Sequence, residues 1–115
     1  MNNCKIEWIE IPAPDLEKAK HFYETVFGWK VSQFAEDYLI FESGNMRGGF
    51  YKKLKVTQSG IRFSITVESI EDTMKVITET GGKQTIDKFL IGEGLGYCAG
   101  FSDPNGNTPE LWAEK

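Results

Sequence analysis

The stretch Asp15-Leu16-Glu17-Lys18-Ala19-Lys20-His21-Phe22-Tyr23-Glu24-Thr25-Val26-Phe27-Gly28 decides the fold. Asp15 is a good N-cap, because its carboxylate accepts from the free N–H groups of a first helical turn. Leu16, Ala19, Phe22, Tyr23 and Val26 recur at steps of three and four and make one apolar face. Gly28 supplies a left-handed stop. The spacing predicts a helix from about Leu16 to Phe27. A second helix, from about Ile70 to Thr80, is written the same way. Ser69 caps it, with Asp72 three residues on, close to a capping box. Ile70, Thr73, Met74, Val76 and Ile77 mark its buried side, and Gly81-Gly82 ends it.

Working outward, each helix follows an extended run, Ile6 to Ile11 before the first and Ile61 to Val67 before the second. Each precedes three short strands. These are Trp29 to Phe34, Tyr38 to Glu42 and Arg47 to Lys52, then Lys83 to Lys88, Tyr97 to Ser102 and Pro109 to Ala113. The separators are rich in turn residues, as in Ser43-Gly44-Asn45 and Asp103-Pro104-Asn105-Gly106-Asn107. Sliding the chain by about 54 residues lays Ile11 on Ile65, Asp15 on Ser69, Leu16 on Ile70 and Gly28 on Gly82. Two unrelated amphipathic helices after strands would align in part. The matching strand count favours a true repeat. The expected architecture is α+β, two βαβββ copies. One domain spans 1–115, with halves of about 1–55 and 56–115 and a linker near 53–59.

The chain has 115 residues, enough for one domain with a real core. Its net charge is −4, and no basic stripe is available to displace counterions from phosphates, so nucleic acid is not an expected partner. The first residues contain no apolar signal region, and no apolar run approaches a membrane span. A cytoplasmic protein is expected. Its two cysteines, Cys4 and Cys98, read as buried thiols rather than a bridge.

Ile9 to Trp29, ending in Phe22-Tyr23-Glu24-Thr25-Val26-Phe27-Gly28-Trp29, together with Phe101-Ser102-Asp103-Pro104-Asn105-Gly106-Asn107-Thr108-Pro109-Glu110-Leu111, resembles the vicinal oxygen chelate superfamily of glyoxalases, bleomycin-resistance proteins and extradiol dioxygenases. The resemblance implies that the two copies form a curved mixed sheet around a cup, a glyoxalase-like fold. In metal-dependent members it also implies four ligand positions, one on the first and one on the last strand of each half, filled by His, Glu or Gln. The first lies seven residues before the helix-capping Asp, which here is Trp8. An indole has no available lone pair. Glu7, one step away, points to the other sheet face unless a bulge turns it. The equivalent place in the second half is Arg62, a cation without an acceptor. The strand Arg47-Gly48-Gly49-Phe50-Tyr51-Lys52 offers no usual ligand. Only Glu110 matches a family ligand position.

No cofactor is therefore expected, the alternative being a divalent metal such as zinc, nickel or iron on unusual ligands. Instead, Arg62 is expected to pair with Glu110 in place of an ion, since a carboxylate inside a cup needs a counter-charge. Trp8, Glu10, Tyr97 and Trp112 are read onto the same face as Glu110. Trp8 and Trp112 would be aromatic walls for a flat ligand, or plain core filling. Glu110 and Glu10 are the best catalytic candidates, as a carboxylate pair of which one would serve as acid or base. His21 reads as a surface residue of the first helix. The function expected is metal-free binding of a small molecule, as in bleomycin-resistance proteins, by a homodimer. The alternatives are a metal-dependent lyase, isomerase or dioxygenase of glyoxalase type, and a dimeric module whose cup its own side chains fill.

Overall fold

A computed structural model describes residues 6–53, 55–56 and 62–115. The chain divides into two compact units, Met1–Val56 and Thr57–Lys115. Cys4, the start of the expected strand 61–67 and most of the expected linker lie outside the described residues.

In the first unit, β1 (Trp8–Pro12) leads to α1 (Leu16–Phe27), then β2 (Lys30–Ala35), β3 (Tyr38–Ser43) and β4 (Met46–Tyr51). Asp15 caps α1 by accepting from the Lys18 N–H at 3.1 Å. Gly28 ends it at φ +70°, where the Gly28 and Trp29 N–H groups reach back to the carbonyls of Glu24 and Tyr23. The strand order is β1-β4-β3-β2. β1 runs parallel to β4, and the other neighbours are antiparallel. α1 covers one face. Phe22, Tyr23, Leu39 and Phe50 are fully buried there, and Ile11, Trp29, Val31 and Phe41 nearly so. The rings stack in series: Tyr23 on Trp29 at 4.7 Å between centroids, Trp29 on Phe41 at 4.6 Å, and Phe41 against Phe50 at 5.0 Å.

The second unit repeats the plan with β5 (Ser64–Thr66), α2 (Ile70–Glu79), β6 (Lys83–Leu90), β7 (Tyr97–Ser102) and β8 (Glu110–Ala113), in the order β5-β8-β7-β6. Ser69 caps α2 through the Asp72 N–H at 3.1 Å. Ile70, Met74 and Ile77 pack on a face that holds Ala99, Phe101, Leu111 and Ala113. The helix stop differs in detail from the 54-residue alignment. Gly81, not Gly82, takes the positive φ of +97°: α2 ends at Glu79, two residues short of the position aligned with Phe27, and the Gly82 N–H closes the turn on the Ile77 carbonyl.

The turn before β8 is held from inside. Asp103, 4% exposed, accepts from the N–H groups of Asn105 and Asn107 and from the Asn107 side-chain amide, all within 3.0 Å. The α+β repeat is thus present as two open four-stranded mixed sheets, each with a helix on one face. Among the described residues, no helix is long and apolar enough to cross a membrane.

Candidate functional site

The face of each sheet turned away from its helix carries the polar side chains, because successive strand residues alternate between faces. In the first unit the register Trp8↔Arg47, Glu10↔Gly49 and Pro12↔Tyr51 puts Trp8, Glu10, Arg47 and Gly49 on this open face. The Ile9, Ile11, Gly48 and Phe50 positions turn to the helix. Register in β1 is unbroken from Trp8 and Glu7 precedes the strand, so no bulge turns Glu7 to the face of Trp8.

In the second unit Ser64↔Glu110, Gly100↔Glu110 and Cys98↔Trp112 define the equivalent face. Tyr97 does not share it. Its partner across the ladder is Ala113, fully buried on the helix side. The Tyr97 ring lies under the Lys88 ammonium at 4.6 Å, and Lys88 also pairs with Glu71 of α2 at 2.9 Å. The expectation that Tyr97 joins Glu110 is corrected by that register.

The two registers locate the fourth family position. Glu10 faces Gly49, and its repeat equivalent Ser64 faces Glu110. The first-half counterpart of Glu110 is therefore Gly49, which has no side chain at all. A Cβ there would strike the Tyr38 ring. Tyr38 lies across the bare backbone, accepting from the Trp8 indole N–H at 2.9 Å and donating to the Glu10 carboxylate at 2.8 Å. Arg47 sits 5.6 Å from the Trp8 ring centroid, and Phe34 meets the Tyr38 ring edge-on at 6.1 Å. Burial above all raises the Tyr38 pKa above the ordinary phenol value; the Trp8 hydrogen bond opposes it, and the Glu10 hydrogen bond and charge add to the rise. The phenol thus stays a donor to Glu10 through neutral pH.

In the second unit Arg62 comes within 3.4 Å of Glu110, as expected of that pair. Glu110 is 19% exposed and Arg62 59%, so the contact is only partly shielded from water. Cys98 shares the Glu110 face of the β7–β8 ladder. Burial raises the Cys98 pKa, as do the Glu110 charge and hydrogen bond, while the Ala99 backbone and the Arg62 charge lower it. Trp112 donates its indole N–H to the Leu95 carbonyl at 2.9 Å, which fixes its ring beside Gly96. Glu10, the other catalytic candidate, belongs to the first unit and is held by Tyr38. His21 is exposed on α1.

The family's metal does not fit these residues. Its four positions hold an indole, a glycine, a guanidinium and one carboxylate, and the guanidinium already faces that carboxylate. Among the described residues, no three His, Cys, Asp or Glu side chains are grouped as a metal site requires. No step of chemistry is derived through such an ion.

Sequence reasoning missed Tyr38, Arg47, Phe34 and the thiol of Cys98. For Tyr38 a signal was present: a glycine inside a strand marks a close approach, and the two-residue Gly44-Asn45 turn sets the β3–β4 register that aims Tyr38 at it.

The bleomycin resistance protein-like N-terminal family matches residues 5–44. A glyoxylase-like domain-containing protein of Didymella fabae is 32% identical over 114 residues, covering 90% of this chain and 89% of the relative. A glyoxalase/bleomycin resistance protein/dioxygenase family enzyme from Burkholderia phytofirmans PsJN superposes with a TM-score of 0.80 at 15% identity, covering 95% of this chain and 98% of that one. The fosfomycin resistance protein FosX of Listeria monocytogenes, solved as an E126Q mutant with Mn(II) and 1S,2S-dihydroxypropylphosphonic acid, gives 0.82 at 14% identity, covering 100% and 93%. Lactoylglutathione lyase from Agrobacterium tumefaciens gives 0.75 at 17% identity, covering 98% and 96%. The repeated βαβββ unit and the match along nearly the whole Didymella relative lead to one assignment: the chain belongs to the glyoxalase/bleomycin resistance/dioxygenase family, the vicinal oxygen chelate superfamily.

Proposed function

We propose that this protein binds a small molecule on its open sheet faces without a divalent metal, in the manner of a bleomycin-resistance-type binding protein. The observation that supports this most is the 3.4 Å approach of Arg62 to Glu110. The one family-type carboxylate has a cation of the protein's own as its partner, at the position where metal-dependent relatives place a ligand. A divalent ion at Glu110 would have to displace that guanidinium and would still lack three donors.

Trp8 and Trp112 supply apolar ring surface for a ligand, and their indole N–H groups are already satisfied by Tyr38 and Leu95. Glu10 and Glu110 supply charge for orientation. The names of FosX and lactoylglutathione lyase set an enzymatic alternative beside this reading.

Elemental analysis of the purified protein, followed by thermal-shift screening against divalent metals and small metabolites, tests it. The expected result is no stoichiometric metal, no metal-dependent rise in Tm, and a rise with at least one small organic ligand. One tightly held zinc, nickel, iron or manganese ion per chain would overturn the proposal in favour of the lyase or dioxygenase reading.

A further inference from the structure

The open face of the first sheet combines two features that recognise positive charge. Trp8 and Phe34 expose ring surface to solvent, at 42% and 71%, although large aromatic residues usually bury theirs. Tyr38 connects them, with its ring edge-on to Phe34 and its hydroxyl on the Trp8 indole. The Glu10 carboxylate sits at the end of the same chain, held by Tyr38 at 2.8 Å, with the rest of the side chain open to water. The face already attracts one cation: the Arg47 guanidinium rests 5.6 Å from the Trp8 ring centroid.

We propose that this face binds a small organic cation, an amine or quaternary ammonium head set against the rings of Trp8, Tyr38 and Phe34, with Glu10 as its counter-charge. Aromatic faces attract such heads through their quadrupole, and the attraction grows as water is excluded. Tyr38 and Trp8 hold the Glu10 carboxylate in one place, so little ordering is left for the ligand to impose. Arg47 occupies the indole as an internal competitor that the ligand must displace. Gly49 is required, because any side chain there would push Tyr38 off the sheet and release Glu10. This assignment rests on the ligand-binding reading above and narrows it to one ligand class at one face.

The test uses the full-length chain with choline as the probe and its neutral isostere 3,3-dimethylbutan-1-ol as the control, followed by NMR of the Trp8 indole N–H. The expected result is a saturable shift with choline and at least about tenfold weaker binding of the alcohol, the ratio that roughly 1.4 kcal/mol confers. Glu10→Gln, which still accepts from Tyr38, should weaken choline by a similar factor, while Arg47→Gln should strengthen it several-fold. Circular dichroism and unfolding curves of both variants should match the parent. Equal affinity for the alcohol, a Trp8 signal that does not move, or indifference to Glu10→Gln would overturn the proposal. If choline fails while the metabolite screen finds another ligand, the cation assignment falls alone. If nothing binds in either experiment, the ligand-binding reading falls with it.

Discussion

Around α1 the packed side chains are rings, Phe22, Tyr23, Trp29, Phe41 and Phe50, whereas around α2 they are chiefly aliphatic, Ile70, Met74, Ile77 and Leu111. The open faces differ in the same sense. The first carries an indole, a phenol and a carboxylate joined by neutral-donor hydrogen bonds. The second carries an ion pair with a thiol beside it. Phe50 and Leu111 occupy equivalent places, opposite Ile11 and Ile65 in their parallel ladders, and so do Gly49 and Glu110. One backbone plan thus serves two kinds of packing and two kinds of polar surface. The contrast lies in side chains placed at matching ladder positions, so single substitutions can break it.

The largest expected effect is in the aromatic stack. Phe50→Ala should cost about 3–5 kcal/mol in denaturant unfolding, since it removes a fully buried ring from between Tyr23 and Phe41. Leu111→Ala should cost less, by roughly 1 kcal/mol, within the usual range for a buried leucine. Equal losses would break the contrast between ring and aliphatic packing.

Next comes the Asp103 turn before β8, where the first unit has the two-residue Gly44-Asn45 turn before β4. Asp103→Ala should cost about 2–3 kcal/mol in the same measurement, because two backbone N–H groups and an amide lose a charged acceptor. A loss below about 0.5 kcal/mol, typical of an unremarkable surface site, would show that water replaces the carboxylate.

The adjacent glycines of β4 should separate packing from site. Gly48→Ala drives a Cβ into the Ile9 carbonyl and the Phe41 ring, and should cost about 1–3 kcal/mol. Gly49→Ala meets the Tyr38 ring first, which can swing outward, so it should cost less and should return the Tyr38 pKa toward the ordinary phenol value. Because folding raises that pKa, Tyr38 contributes stability that is fully present below the unfolded phenol value, near 10. That contribution is lost as pH rises through the folded value. Both Gly49→Ala and Tyr38→Phe should therefore flatten the alkaline fall in stability. An unchanged alkaline limb in Tyr38→Phe would contradict the assignment.

The smallest effect concerns the Cys98 thiol, followed by alkylation kinetics near pH 8 in a Cys4→Ser background. Glu110→Gln removes the charge that keeps the thiol protonated and should speed the reaction several-fold, whereas Arg62→Gln should slow it. The same sign in both variants would mean that they act by opening the structure rather than through charge.

The helices were legible in the sequence because their ends are chemical. Asp15 and Ser69 cap them as expected, and α1 spans the expected residues. Counting back from those caps by the offset that the family resemblance implies reached Trp8 and Arg62, and so the pairing of Arg62 with Glu110. Strand register was less legible where turns are long. Between β7 and β8 the chain passes through Asp103 to Pro109, and its length alone does not determine which face Tyr97 takes. Tyr38 was missed for another reason. It lies 28 residues from Glu10, and the contact depends on a side chain that Gly49 lacks. The glycine marks a close approach without saying which side chain makes it.

The parallel pairing in each unit also orders events in time. All ladder contacts of the first sheet close between Trp8 and Tyr51, and its antiparallel hairpins join neighbouring strands. Short loops close at little entropic cost, so β2, β3 and β4 can zip locally before β1 returns across the helix to dock on β4. On a ribosome, where the N-terminal part emerges first, the complete set of partners for the first sheet has been synthesised before Ile70 opens α2. The first half of the chain therefore need not wait for the second to find its strand neighbours.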